Sequence, residues 1–290
     1  MKYSIIIPTY NRANLVGKTI LSALDQKHDN FEVIVVDDGS SDNTKEVVEQ
    51  IKDSRLFYYR KENGERGAAR NYGALRSTGD YLNFLDSDDI VFPNHISEAD
   101  LFIASNNSPE VFYQAAEVVV AGKAIKKHVD FNKGINEILM YGNPLPLQGV
   151  FIRRDVALAN TFNENRAITA SEDWELWLRL STKYRILYND VVTSNVIDHE
   201  QRSVVNLNKE FLIKSKEAFV HTVISNNEIT KAYRNKIKAF IGSNYSYVSL
   251  HLLLNDKYRL LAVKYLLKSI AVYPAGIFTR RFLAIIKHLV

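Results

Sequence analysis

The stretch "YLNFLDSDDIVFP", Tyr81 to Pro93, decides the fold. It begins as a buried strand and then places Asp86, Asp88 and Asp89 within four positions. These carboxylates repel one another and must give up water wherever the strand end is covered. Packing alone gains nothing from that arrangement. Something positive belongs beside it.

Upstream, strand and helix patterns alternate. "YSIIIP" reads as a buried strand, followed by a helix with Leu15, Ile20, Ala23 and Leu24 on one face. "FEVIVVDDG" is a second strand, and "SSDNTKEVVEQI" a helix capped by Ser or Asp. "RLFYYRKE" is a third strand, "RGAARNYGALRSTG" a helix stopped by Gly79, and "YLNFLD" a fourth strand. Such alternation predicts a mostly parallel sheet with helices on both faces. Ligands bind beyond the carboxyl ends of such strands. Three ends are polar and should converge: Thr9-Tyr10-Asn11, Asp37-Asp38-Gly39 and Asp86-Ser87-Asp88-Asp89.

Downstream the pattern is less regular. "EVFYQAAEVVV" reads as a strand and "LQGVFIRRDV" as a strand entering a helix. "SEDWELWLRLSTKY" is a helix with Trp174, Trp177, Leu178 and Ser181 on one face, and "RILYND" and "VVTSNVID" are two short strands. From about Asn208 onward the chain is helical. The expected organisation is one α/β domain over 1–205, with a nucleotide-binding part (1–100) and an acceptor part (101–205), and a helical region over 206–290.

The 290 residues contain no cysteine, so disulfides and thiolate metal sites are excluded and a reducing cytoplasmic location fits. "MKYSIIIPTYNR" does not read as a signal peptide, and no apolar run is long enough to span a bilayer. The net charge of +4 is uneven. From Lys231 to Val290 eleven basic residues face a single acid, Asp256, so residues 1–230 are net acidic. The two parts are expected to meet different partners.

Asp86 and Asp88, two apart on an extended chain, point to the same side. Hard oxygens so placed suit Mg²⁺ or Mn²⁺, which takes further ligands from water and substrate phosphates. A plain Asp-rich turn capping the next helix explains the same residues. Asp37 and Asp38 end a strand where an acid can accept from a base or a ribose hydroxyl, or can serve as a cap before Gly39. Neither G-x-G-x-x-G nor G-x-x-x-x-G-K-[ST] is present, so phosphates would be held by metal and side chains. Glu172 and Asp173 open a helix whose dipole favours negative charge. Asp173 is either an ordinary helix-start acid or a general base.

Taken in order, "IIIPTYNR", "VIVVDDGSSDNT", "NGERGAARNYGALRSTGDYLNFLDSDD" and "SEDWELWLRL" resemble a family 2 glycosyltransferase with the GT-A fold, over roughly residues 1–205. The resemblance implies an inverting transfer of a hexosyl or N-acetylhexosaminyl group from a nucleotide sugar to an acceptor hydroxyl. It implies that Pro8, Thr9, Tyr10 and Asp37 hold the nucleobase, that Arg70 and Asn71 help hold the nucleotide, and that Asp86 lies near the ribose. Arg12, Asp38, Gly39 and Ser87 complete the expected donor set. Asp88 with Asp86 would bind the metal and Asp173 would be the base. In "DHEQRSVVN", His199 is either a third metal ligand or polar loop surface, and Arg202 would neutralise the leaving diphosphate.

UDP is the expected nucleotide by family frequency, with GDP and dTDP left open. The pathway implied is a bacterial surface polysaccharide or a similar glycan, with a glycan or lipid-linked acceptor. Two other readings compete: a sugar-nucleotide nucleotidyltransferase, whose usual Gly-rich basic loop is missing from "PTYNRANLVGK", and an idle nucleotide-sugar-binding scaffold. The tail "YRLLAVKYLLKSIAVYPAGIFTRRFLAIIKHLV" is basic and amphipathic. It suits either an anionic membrane surface, making the protein peripheral at the inner face, or packing against the domain or a second subunit. Nucleic acid is not an expected partner, and a homo-oligomer is left open.

Overall fold

The computed structural model describes residues 1–125, 131, 134–198, 208–254 and 258–289. In chain order the first half contains β1 (Tyr3–Thr9), α1 (Ala13–Leu24), β2 (Phe31–Asp37), α2 (Thr44–Gln50), β3 (Leu56–Arg60), α3 (Glu65–Arg76), β4 (Tyr81–Phe84), β5 (Ile90–Val91), α4 (His95–Ser105), β6 (Val111–Val120) and β7 (Lys123–Ile125). There follow α5 (Ile135–Ile138), β8 (Val150–Arg153), α6 (Arg154–Ala159), α7 (Glu172–Ser181) and β9 (Leu187–Ile197). The chain then continues as α8 (Lys209–Ile224), α9 (Asn227–Ala232), α10 (Ile237–Leu253), α11 (Arg259–Val272) and α12 (Arg280–Leu289).

Two compact units result. One comprises Met1–Ile135, Pro144–Arg166 and Lys183–Arg202; the other comprises Asn136–Asn143, Ala167–Thr182 and Ser203–Val290. The segment carrying α7, contiguous in sequence with the α/β region, thus groups with the C-terminal helices.

The first unit is built on one sheet in the order β3-β2-β1-β4-β8-β6-β9-β5, with β7 added to β6. β3, β2, β1 and β4 are parallel, as the alternation predicts. β1 and β2 are buried along their whole length, which is why they read as continuous apolar runs. Pro8 is tolerated in β1 because β4 pairs only as far as Ile6↔Phe84. The missing N–H falls on the side where β4 has already left.

Beyond β4 the sheet is mixed rather than mostly parallel: β8 is antiparallel to β4 and β6, β9 runs parallel to β6, and β5 antiparallel to β9. The two short strands expected over 185–198 are one strand, β9, whose pairing with β6 jumps between Gln114 and Ala116. This irregularity breaks the period-2 pattern. Asn189 fills the break, donating to Gln114 Oε1 at 3.1 Å.

Smaller departures have local causes. α2 starts at Thr44, where Asp42 accepts the Thr44 N–H at 3.1 Å. α3 ends at Arg76, before Gly79, because Ser77 Oγ donates to the Ala74 carbonyl. Gly79 matters for packing instead: a Cβ there would lie 2.7 Å from the Ser4 nitrogen. On α1 it is Val16, with Ile20, Ala23 and Leu24, that faces the core.

The second unit is helical. Trp174 and Trp177 are both buried, so they serve the core as aromatic filling. Trp174 packs on Phe219 (4.9 Å between centroids) and Phe240 (5.6 Å), and its Nε1 donates to the Leu139 carbonyl at 2.8 Å. A further cluster joins Val248, Leu252, Ala262, Tyr265, Leu266 and Ile285 from α10, α11 and α12. Of the expected apolar stripe on α11, Tyr265 and Leu266 are buried while Leu260 and Leu267 are exposed. Among the described residues no helix is long and apolar enough to cross a membrane.

Candidate active site

The polar ends of β1, β2 and β4 meet at one edge of the first unit, as their positions in the parallel sheet require. The Asp38 N–H donates to the Thr9 carbonyl at 2.8 Å, and the Leu85 N–H to the Ile6 carbonyl at 2.9 Å. Asn11 adopts φ 50°, a left-handed conformation asparagine tolerates. Its N–H donates to Ser40 Oγ at 2.9 Å, and its Oδ1 accepts the Ser41 N–H at 2.8 Å. Arg12, one residue on, brings a guanidinium nitrogen to 3.9 Å from Asp88 Oδ2 and so links the first loop to the third.

Asp37 and Asp38 are both buried, yet they do different things. Asp37 accepts the Tyr58 hydroxyl at 2.6 Å and the Ser40 N–H at 2.7 Å. Burial and this carboxylate together push the Tyr58 hydroxyl pKa up, so it stays a donor. Asp38 turns away toward residues 61–64. It accepts Lys61 Nζ at 2.8 Å, the Gly64 N–H at 3.0 Å and Asn63 Nδ2 at 3.1 Å. Gly39 follows at φ 86°, and a Cβ there would also crowd the Asn63 nitrogen at 3.2 Å. Lys61, which the sequence does not single out, is an ion-pair partner at the end of β3. Its position after a parallel strand was the available signal.

The positive partner expected for the acid cluster is Arg70. Its side chain is buried, donates to Asp86 Oδ1 at 2.8 Å and stands 5.2 Å from the Phe162 ring. α3 delivers it from a helix whose small residues, Gly67, Ala69, Gly73 and Ala74, let the backbone lie close to the sheet. Asn71 is spent locally. Its Nδ2 donates to the Phe162 carbonyl (2.9 Å) and Glu164 Oε1 (2.8 Å), and its Oδ1 accepts the Phe162 N–H (2.8 Å). It shapes the 162–164 segment beside Arg70.

Asp86, Asp88 and Asp89 each bring a carboxylate oxygen within 4.8 Å of the others. Asp89 is the most buried, and its Oδ1 accepts the Ile197 N–H at 2.9 Å, fastening the end of β9. Asp86 and Asp88 are more open. Ser87 between them is buried. Three hard carboxylate oxygens with an arginine partly balancing their charge fit a divalent cation such as Mg²⁺ or Mn²⁺. Pro8 and Thr9 are buried beside this edge, Thr9 Oγ1 has no hydrogen-bond partner among the described residues, and Tyr10 is 49% exposed. The aromatic ring of Tyr10 is open to stacking on a planar ring, while the Thr9 hydroxyl beside it is buried.

In the second unit, Asp173 stands in the first turn of α7. Its Oδ1 accepts the Trp174 N–H at 2.6 Å and its Oδ2 accepts Asn143 Nδ2 at 2.9 Å. Both carboxylate oxygens are thus held by donors at the start of the helix. His199 and Arg202 lie outside the described residues.

A parallel strand edge lined by carboxylates and an arginine belongs to the class of α/β sites that can hold a metal ion. Comparison with known proteins makes it specific. Residues 4–143, just under half of the chain, match the family described as Glycosyl transferase family 2. An uncharacterized glycosyltransferase of Rickettsia bellii (strain RML369-C) is 34% identical over 185 residues, which cover 63% of this chain and 26% of its own. The chain spans 26%, 31% and 31% of the length of the relatives from R. bellii, R. felis and R. conorii, and 60% of the one from R. typhi.

Among solved structures, S. aureus TarS 1-349 in complex with UDP-GlcNAc gives a TM-score of 0.65 at 18% identity, covering 95% of this chain and 92% of that one. Mannosyltransferase PcManGT from Pyrobaculum calidifontis, in complex with GDP-Man and Mn2+, gives 0.62 at 17% identity, covering 99% and 85%. At these identities the likeness carries the fold, which is GT-A.

Proposed function

We propose that the protein is an inverting glycosyltransferase that moves a sugar from a nucleotide-diphosphate sugar, UDP-linked in the first instance, to an acceptor hydroxyl in a bacterial envelope glycan. The observation that carries this reading is the meeting of three strand ends around Asp37, Arg70, Asp86 and Asp88 at one sheet edge. TarS with UDP-GlcNAc and PcManGT with GDP-Man and Mn2+ support it as proteins of the same fold.

In this reading Thr9, Tyr10 and Asp37 recognise the base, with Pro8 and Gly39 shaping the loops that present them. Tyr58 and the Ser40 N–H fix the Asp37 carboxylate. Asp38 holds the 61–64 segment in place, and Asn71 holds 162–164. Asp86 and Asp88 would hold Mn²⁺ or Mg²⁺, which when bound supplies positive charge to the departing diphosphate. Arg70 orients Asp86 through its hydrogen bond, Arg12 reaches Asp88 across the loops, and Ser87 spaces the pair. His199 and Arg202 are proposed as a further ligand and a diphosphate contact.

Asp173 is the proposed base. It takes the proton of the acceptor hydroxyl as that oxygen bonds to the anomeric carbon. The bond from that carbon to the phosphate oxygen breaks, its electron pair leaves with the nucleoside diphosphate, and the anomeric configuration inverts. One carboxylate suffices, because a single displacement has one proton to accept.

The test is Asp173→Asn, assayed for nucleoside diphosphate release and for donor binding. Release is expected to fall by about 10²–10⁴-fold with donor binding kept. Transfer at near the original rate would remove Asp173 from the role. Donor binding without transfer in the unaltered protein, across a panel of acceptors, would favour the scaffold reading.

The setting we propose is the inner face of the cell membrane. Leu260, Lys264 and Leu267 share one face of α11, and Leu283 and Ile286 project from α12 beside Arg280 and Lys287. Exposed apolar groups flanked by cations suit an anionic lipid surface and a lipid-linked acceptor.

A further inference from the structure

The helical unit contains a group of basic side chains that the donor chemistry does not use. Lys216 of α8 donates Nζ to Ser171 Oγ at 2.7 Å, and the same nitrogen lies 4.9 Å from the Tyr247 ring centre, 5.3 Å from Phe219 and 5.6 Å from Trp174. Arg281 of α12 donates Nη1 to the Ser243 carbonyl at 2.8 Å and to Ser243 Oγ at 2.9 Å. Its guanidinium carbon is 5.7 Å from the Tyr247 centre. His251, one turn beyond Tyr247 on α10, stacks on that ring at 3.9 Å. Three basic heads from three helices therefore surround one tyrosine.

Every hydrogen bond that Lys216 and Arg281 make goes to a neutral oxygen. Among the described residues neither has a carboxylate within ion-pair distance. The charges oppose one another. Burial lowers the pKa of Lys216, to about 8, with Arg281 lowering it further while Asp173 and Glu172 act the other way. Burial likewise lowers His251, with Arg281 and Lys216 adding to the effect. Gathering like charges out of water opposes folding, and a methionine at 216 would fill the same aromatic pocket without that cost. The grouping becomes favourable when a multivalent anion joins it. An ammonium and a guanidinium fork converging from two helices suit the several oxygens of a phosphate ester.

Ser171, which takes the Lys216 hydrogen bond, lies two residues before Asp173. The anion held here would therefore sit beside the hydroxyl that Asp173 deprotonates, on the acceptor and not on the donor. We infer that Lys216, Arg281 and His251, around Tyr247, form a subsite for a phosphate ester carried by the acceptor. This rests on the role proposed for Asp173. The phosphate belongs to a soluble phosphorylated polyol or glycan, or to a lipid phosphate; both present the same group.

The experiment uses the full chain without donor. Binding of sn-glycerol 3-phosphate, with glycerol as the uncharged control, is followed by calorimetry in the wild type, K216M and R281Q. In parallel, sedimentation is measured with phosphatidylcholine vesicles containing or lacking phosphatidic acid. Wild type is expected to bind at least one phosphate source and not glycerol, with affinity falling about tenfold or more in each variant. A response to glycerol phosphate identifies the soluble source, and a response to phosphatidic acid alone identifies the lipid.

R281K, which keeps the charge and loses the fork, should fall between wild type and R281Q. UDP binding with Mn²⁺ should be the same in wild type and all variants, so loss of that binding would make the cluster part of the donor site and overturn the inference. Absence of binding to both phosphate sources, or binding unchanged in K216M and R281Q, would also overturn it. Because these measurements need neither donor nor turnover, their failure is distinct from failure of the transfer reading.

Discussion

At the scale of single residues, Asp37 and Asp38 show how neighbouring carboxylates take opposite duties. Successive residues of a strand point to opposite sides. Asp37 meets Tyr58 and Ser40, and Asp38 meets Lys61, Asn63 and Gly64. Asp38→Asn should therefore loosen residues 61–64 and cost about 1–3 kcal/mol, since it weakens a buried charged hydrogen-bond set. Chemical denaturation measures this. Gly39→Ala should cost about 1–2 kcal/mol from its positive φ alone.

Lys216 makes a prediction of the opposite sign. Its folded pKa of about 8 lies below the ordinary 10.5, so the unfolded chain holds the proton more strongly between those values. Stability should rise as pH increases from about 8 toward 10.5, and the penalty is fully present below 8. Lys216→Met is accordingly expected to raise the melting temperature at pH 7 by roughly 2–5 °C and to flatten the alkaline limb, as read by thermal scans across pH.

At the scale of elements, the parallel half of the sheet was legible because it obeys simple rules. Continuous apolar runs alternated with amphipathic helices, and each strand ended in polar residues. In the antiparallel half β6 and β8 were legible as strands, but the pairing and the shortest strands were not. β5 is two residues long, β7 three, and the extra residues on β9 opposite Gln114–Ala116 scramble the alternation. Asp88 and Asp173 stood out in sequence because of their residue type and position. Lys61, Tyr58 and Glu164 did not, since an ordinary lysine, tyrosine and glutamate gain meaning only from what the fold sets opposite them.

His95 at the start of α4 ties this half together. It is fully buried, with Nδ1 2.8 Å from Thr193 Oγ1 and Nε2 3.3 Å from Asn83 Oδ1. Burial lowers its pKa from 6.5 to about 3. The unfolded chain therefore gains a proton that the folded one refuses, and stability should fall as pH drops from about 6.5 toward 3. The slope attributable to one such group is up to about 1.4 kcal/mol per pH unit, and His95→Gln should reduce it. Equal acid sensitivity in both proteins would exclude His95 as the cause.

At the scale of the whole molecule, charge and exposure divide the chain. The acidic part carries the sheet and its cation-ready edge, while the basic tail leaves Leu260 and Phe278 at 91% and 86% exposure. Such exposure next to lysine and arginine predicts salt-sensitive sedimentation with phosphatidylglycerol vesicles. The double change Phe278→Asp with Leu283→Asp should weaken that binding by about tenfold or more. Vesicle binding equal in wild type and the double variant would mean that these helices meet something else.

In the proposed function, the edge formed by β1, β2 and β4 binds a nucleoside diphosphate together with a divalent cation. The most direct measurement is a thermal-shift titration with UDP, GDP and dTDP, each with and without Mn²⁺, on the wild type and Asp88→Ala. A ligand selective for the folded state raises the melting temperature by mass action. We expect one nucleotide, UDP first, to stabilise the wild type, Mn²⁺ to enlarge the shift, and Asp88→Ala to lose the enlargement. No shift with any nucleotide, or a Mn²⁺ effect that survives Asp88→Ala, would contradict the account.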